Sequence, residues 1–191
     1  MKIENVKVYG FDESIIASKY PMAVNIDELE YAVTDITRKL GSCTVGGGHD
    51  NFLNGIVVQF DLTCSLKMWP QIQRYHFVDF VSSQSTMHRI TKFDPGKQCN
   101  KYVHKEIIGI LKLLIDVYNK YPTHENYLNI LYNIPTGFEL TARMTTNYRQ
   151  LKTIYYQRKN HRLDEWKEFC RWIESLPCFR GLCLGGESGE V

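Results

Sequence analysis

The chain has 191 residues, 43% hydrophobic and 13% aromatic, with 23 basic and 21 acidic side chains for a net charge of +2. That length supports one domain with a substantial core. The near balance of charge excludes a global field that would draw nucleic acid or a membrane. No apolar run reaches the roughly 18–20 residues of a membrane span, and the start lacks a signal-peptide stretch. Six scattered cysteines without a C-x-x-C pair predict thiols in a reducing, cytoplasmic compartment and no zinc or other metal site.

In chain order, Ile3, Val6 and Val8 alternate loosely and predict a strand over 2–9. Residues 11–23 carry no clear period. Leu29, Val33, Ile36 and Leu40 repeat at helical spacing. With Asn25 as cap, Asp27, Glu28 and Glu30 early and Arg38, Lys39 and Gly41 late, they predict a helix over 26–40. Gly46 to Gly48 precede His49 and Asp50; with no Lys-Ser/Thr following, they read as a flexible turn rather than a phosphate loop. Val58, Phe60 and Leu62 alternate with Gln59, Asp61 and Thr63 and give the clearest strand, 56–64.

A helix is predicted over 66–80, with Trp69, Ile72, His76 and Phe80 in one stripe and Gln71, Arg74 and Tyr75 on another face. A Gln and an Arg one turn apart can reach one anionic ligand, and are as often a plain surface pair. Residues 81–89 read as a loop whose hydroxyls and Arg89 suit a phosphate, or as an ordinary serine-rich loop. An amphipathic helix follows over 100–121, then a Thr123-capped helix to about 132, ended by Ile134-Pro135. Phe138, Leu140, Ala142 and Met144 mark a strand over 137–146, and Trp166, Phe169, Cys170 and Ile173 a last helix over 163–176. Residues 181–191 read as a flexible tail, leaving 1–180 as a single domain. Elements in this order predict an α+β fold, a small mostly antiparallel sheet packed with helices.

Residues 145–166 stand apart. Five basic side chains, Arg149, Lys152, Arg158, Lys159 and Arg162, precede the first acid, Asp164, with Tyr148, Tyr155 and Tyr156 among them. Read as one exposed helix, the stretch suits a flat phosphorylated ligand such as a nucleotide, a flavin or single-stranded nucleic acid. Equally, it is a solvated basic face with tyrosines partly in the core. Arg149 and Arg158 are separated by about 900° around a helix and about 13.5 Å along it, so they point to opposite sides. They cannot hold one small ligand of the same site; if both function, they serve two ligands or two sites of an oligomer. Asn147 shares the azimuth of Arg158 but lies about 16 Å away.

Gly48-His49-Asp50-Asn51-Phe52 before a strand, Gln71-x-x-Arg74, Ser85-x-x-x-Arg89, Pro135, Asn147-x-Arg149 and Arg158, with Trp166 beyond, occur in that order over residues 41–175. In order and spacing they resemble flavin-dependent thymidylate synthases, which carry Gly-His-Glu-x-x-x-x-His before a strand, Gln-x-x-Arg-His-Arg, Ser-x-Arg, Leu-Pro, and Asn-x-Arg followed by another Arg. The resemblance implies a homotetramer holding FAD and dUMP where subunits meet. It implies that Gln71, Arg74, Ser85 and Arg89 bind the nucleotide. Arg158 would be the catalytic group, lying against the pyrimidine and stabilising negative charge on its ring. His76, Asn147, Arg149 and Arg74 would contact FAD. The implied reaction is reductive methylation of dUMP to dTMP, with methylenetetrahydrofolate giving the one-carbon unit and NADPH reducing the flavin. A uracil activated without a cysteine nucleophile needs an electrostatic partner, and a fixed guanidinium provides one.

The chain differs from the pattern in Tyr75-His76 for His-Arg, in a longer stretch between Arg74 and Arg89, in Gly55 at the second histidine and in Leu131 at a substrate arginine. Loss of one charge-assisted contact corresponds to about 1.5–3 kcal/mol; His88, Arg143 and Arg162 are candidates to replace it. Two other functions stay open. One is a related flavoenzyme modifying another pyrimidine nucleotide, for example by hydroxymethylation. The other is a non-enzymatic nucleotide- or RNA-binding module built on the basic, tyrosine-rich helix.

Overall fold

The computed structural model describes residues 1–185. At its centre is a four-stranded antiparallel sheet, order β1-β2-β4-β3, formed by β1 (Lys2–Tyr9), β2 (Val57–Ser65), β3 (Asp79–Ser83) and β4 (Glu139–Asn147). Around it lie α1 (Phe11–Ala17), α2 (Asp35–Gly41), α3 (Trp69–Ile72), α4 (Thr86–Arg89), α5 (Pro95–Gln98), α6 (Lys105–Lys120), α7 (His124–Tyr132), α8 (Tyr148–Arg158) and α9 (Asp164–Glu174). The α+β class and the antiparallel sheet are as the sequence predicts.

β2 and β4 pair along their whole length, from Val57 with Asn147 to Ser65 with Glu139. Alternation with period two sends Val58, Phe60, Leu62, Ala142 and Met144 into the core. Gln59, Asp61, Thr63, Thr141 and Arg143 form a half-buried polar face on the other side. There Arg143 pairs with Asp61 at 3.2 Å and donates to the Asn5 carbonyl at 2.8 Å. Asn5, at φ 50°, sits where the register of β1 shifts between Glu4 and Lys7. The main core joins this sheet face to Leu151, Ile154, Trp166, Phe169 and Phe179. A second core of Ile90, Leu111, Ile115, Ile130, Phe138 and Leu140 seats α6 and α7 on the start of β4.

Three expected elements change. The helix predicted over 26–40 forms only as α2. Its cap is Thr34, whose Oγ1 accepts from Thr37 N at 3.2 Å; Asn25 instead closes a turn by accepting from Asp27 N. Of the predicted stripe, Ile36 is 69% exposed and Leu29, Val33 and Leu40 are only half-buried, so it buries too little to propagate a helix. The helix predicted over 66–80 ends after α3. Phe77 takes φ 60°, which no helix accommodates, and the chain turns to pair β3 with β4. Trp69 and Ile72 are buried as expected, while His76 and Phe80 are exposed. β3 also takes the first part of the loop expected over 81–89, whose end is the single turn α4.

The tail expected from Gly181 is the third. A π-helical turn at Arg180–Leu184 buries Gly181, Leu182 and Cys183. Residues 186–191 of that expected tail lie outside the described residues. Leu182 closes against α2, where a Cβ on Gly41 would overlap the Leu182 carbonyl oxygen. Gly41→Ala is therefore expected to lower stability by roughly 1–3 kcal/mol, read as a reduced urea midpoint at unchanged slope. An unchanged midpoint would show that this contact yields without cost.

Candidate functional site

The single helix expected over 145–166 is the end of β4, α8, a turn and the start of α9. Asn147 leaves the strand and caps α8, its Oδ1 accepting from Gln150 N at 2.8 Å. Two of the three tyrosines are structural. Tyr148 is fully buried and donates to the Pro177 carbonyl at 2.8 Å. Tyr155 donates to Glu174 at 2.6 Å, and burial, then that carboxylate, push its phenol up to about 12. Lys152 is also fully buried, so the basic face is smaller than composition suggests.

At the start of α8 three charges meet. Lys152 Nζ donates to Asp50 Oδ2 at 2.7 Å, to the Cys43 carbonyl at 2.6 Å and to the Gly41 carbonyl at 2.8 Å. Its three protons thus have three acceptors. Asp50 is 1% exposed and takes Arg149 Nε on its other oxygen at 3.0 Å. The glycine-rich loop, with Gly46 and Gly48 at positive φ, is thereby tied to α8 on both sides of its turn. The Arg149 side chain stays 32% exposed.

At the other end, Arg158 Nε donates to Tyr75 Oη at 2.6 Å and Nη1 to Gln71 Oε1 at 3.4 Å. Its guanidinium carbon stands 4.6 Å from the Trp166 ring centroid and 5.4 Å from that of Tyr75. Trp166 Nε1 donates to the same Gln71 oxygen at 2.9 Å. His161 packs edge-on to Trp166, and burial, then the charge of Arg158, hold its pKa below the usual value. Its Nδ1 accepts from Leu163 N at 3.1 Å. Arg149 and Arg158 thus leave α8 toward different anchors, as their spacing requires. One end offers a half-exposed cation beside a helix start, the other a flat cation–aromatic shelf.

No protein-family model and no curated sequence matches the chain. Solved structures do. Flavin-dependent thymidylate synthase from Helicobacter pylori, complexed with FAD and dUMP, superposes with a TM-score of 0.72 at 11% identity over 95% of this chain and 96% of that one. A second structure of thymidylate synthase from the same organism, also with FAD and dUMP, gives 0.70 at 13% identity over the same shares. The chain has the fold of flavin-dependent thymidylate synthase.

On this flavin-dependent thymidylate synthase fold the expected site residues fall into four groups. Gln71 and Arg158 touch. Arg74 and His76 are exposed in the turn after α3, flanking the inward Tyr75. Asn147 and Arg149 lie at the far end of α8. Ser85 and Arg89 bracket α4 beyond β3, and no hydrogen bond among the described residues joins them to Gln71 or Arg158. Arg143 cannot replace the missing cation, because Asp61, Asn5 and Gln59 hold it on the polar sheet face. Leu131 packs against the second core. Gly55 lies against α1, where a Cβ would meet the Ser14 hydroxyl and force it to turn away.

Sequence reasoning named Tyr75, Asp50 and Lys152 but gave none of them its place in the site. For Lys152 a signal exists, since Tyr148, Leu151, Lys152 and Tyr155 share one helical stripe and a lysine in a buried stripe demands a carboxylate. For Tyr75 the signal is partial: it lies one turn from Gln71 on the face marked for a ligand, while its partner on α8 lies far along the chain.

Proposed function

We propose that the protein is an FAD-dependent enzyme acting on a pyrimidine nucleotide, methylating dUMP to dTMP with methylenetetrahydrofolate and NADPH as co-substrates. The observation that carries this reading is the fixed Arg158, stacked on Trp166 and bonded to Gln71 and Tyr75. A guanidinium held this way stabilises developing negative charge on a ring without having to reorganise. His161 has its Nδ1 engaged as an acceptor from Leu163 N, which leaves Arg158 as the cation of that shelf. Gln71 orients it, and Arg74, Ser85 and Arg89 would supply donors for the phosphate. The bound dUMP and FAD of the two similar structures support the same reading.

The residues present fit FAD. Arg149 rests its Nε on a buried carboxylate and keeps a partly exposed edge at the first turn of an 11-residue helix, a setting suited to a diphosphate. Asn147, His76 and Arg74 would complete the hold. Bound FAD would supply the hydride that finishes the methyl group. Because Arg149 and Arg158 diverge from α8, each site would be completed by neighbouring copies in a homotetramer. The exposed stripe Ile107, Ile110, Leu113 and Val117 of α6 offers apolar surface for such contacts. Six unpaired thiols suit the cytoplasm, and among the described residues no helix is long and apolar enough to cross a membrane.

The test is an absorbance spectrum of the purified protein with and without added FAD, followed by NADPH oxidation. Flavin bands that persist through desalting, and oxidation that quickens with dUMP, are expected. A protein that takes up no FAD ends this reading, and a product other than dTMP replaces methylation with a different modification of the ring.

A further inference from the structure

The turn after α3 carries a phenol in an unusual position. Tyr75 Oη accepts from Arg158 Nε at 2.6 Å and donates to Gln157 Oε1 at 3.0 Å. Gln157 is the neighbour of Arg158 on α8, so the hydroxyl is itself aimed by the helix that carries the arginine. On the other side, the Gln71 amide oxygen takes both Arg158 Nη1 and Trp166 Nε1, which uses its two lone pairs. The guanidinium is therefore fixed in its plane at two points and stacked on Trp166. Its Nε edge faces inward. Among the described residues, no hydrogen bond engages Nη2, which with the second proton of Nη1 forms the outward edge.

We propose that Tyr75 is a positioning residue whose hydroxyl sets the rotation of Arg158, so that the outward N–H edge meets the ligand in one orientation. This rests on the reading of Arg158 as the group that stabilises charge on a pyrimidine ring. A flexible arginine has many rotamers, and charge stabilisation by a donor pair depends on its being aimed beforehand. Stacking on Trp166 alone leaves the guanidinium free to turn in its own plane. The hydroxyl of Tyr75 removes that freedom.

Tyr75→Phe isolates the claim. It keeps the ring that packs edge-on to Trp166 at 6.0 Å and removes one oxygen from a half-buried position, so the fold is retained. The first readout needs no ligand. In the wild type the Arg158 Nε–H is expected to give a protected proton–nitrogen NMR signal, and Tyr75→Phe to lose that protection. The second readout uses FAD-supplemented protein with dUMP, methylenetetrahydrofolate and NADPH. Tyr75→Phe is expected to lower kcat on the order of tenfold with a smaller change in KM for dUMP. In an Arg158→Lys background the same substitution is expected to change nothing further. Unchanged protection of Nε–H, an unchanged kcat, or an equal effect in both backgrounds would each overturn the proposal. If the NMR contrast holds while the wild type neither binds nor turns over dUMP, the reading of the site falls and the hold of Tyr75 on Arg158 stands.

Discussion

Lys152→Ala is expected to lower the stability of the protein by about 3–5 kcal/mol. The residue is fully buried, and its loss strands Asp50, which is 1% exposed, with Arg149 as its one remaining cation. It also leaves the carbonyls of Gly41 and Cys43 without their donor. For a domain of this size each kcal/mol moves Tm by roughly 2–4 °C, so a fall on the order of 10 °C is expected in thermal denaturation. Asp50→Asn should destabilise in the same direction. The double variant should lose less than the two singles together, since both remove the same contact. A fall below about 1 kcal/mol for Lys152→Ala would mean that water reaches the cluster and screens it.

Arg158→Lys carries the largest expected effect on activity. Lysine keeps the charge but offers a point donor in place of a planar fork. It cannot bond Tyr75 and Gln71 together while lying flat on Trp166, as Arg158 does. With dUMP-dependent NADPH oxidation as the assay, kcat/KM is expected to fall about 10²–10³-fold. Uptake of FAD is expected to remain, because Arg149 and Asn147 lie at the other end of α8. An unchanged rate would remove Arg158 from the chemistry. Loss of flavin with retained rate per bound flavin would move it to the cofactor.

The sheet was legible because its strands alternate without interruption. Val58, Phe60 and Leu62, and Leu140, Ala142 and Met144, reveal both faces of the two central strands. Caps were legible where a single residue closes a helix on itself, as Thr123 does for α7. Residues 66–80 misled because Trp69, Ile72, His76 and Phe80 satisfy a helical period, while the outcome was decided by the conformation of Phe77 and by an open edge on β4. The stripe of Leu29, Val33, Ile36 and Leu40 misled in the same way, since a stripe predicts a helix only when a surface exists to receive it. At the site, divergence of Arg149 and Arg158 followed from helical geometry alone. The identity of what each arginine leans on did not, because Asp50 and Tyr75 reach α8 from distant parts of the chain.

The order of strands has a consequence for how the protein is made. β4, the last strand to leave the ribosome, occupies the interior of the sheet between β2 and β3. Its pairing with β2 joins Val57 to Asn147, roughly 90 positions apart, and such long-range closure is slow. Until β4 arrives, the nascent chain carries Val58, Phe60 and Leu62 on a strand with one neighbour, and β3 has none. The core then waits again for Phe179 and Leu182 to close it. Completion of the fold is therefore expected late, and the growing chain carries an unpaired, aggregation-prone β2 edge from Ser65 until Glu139–Asn147 arrives.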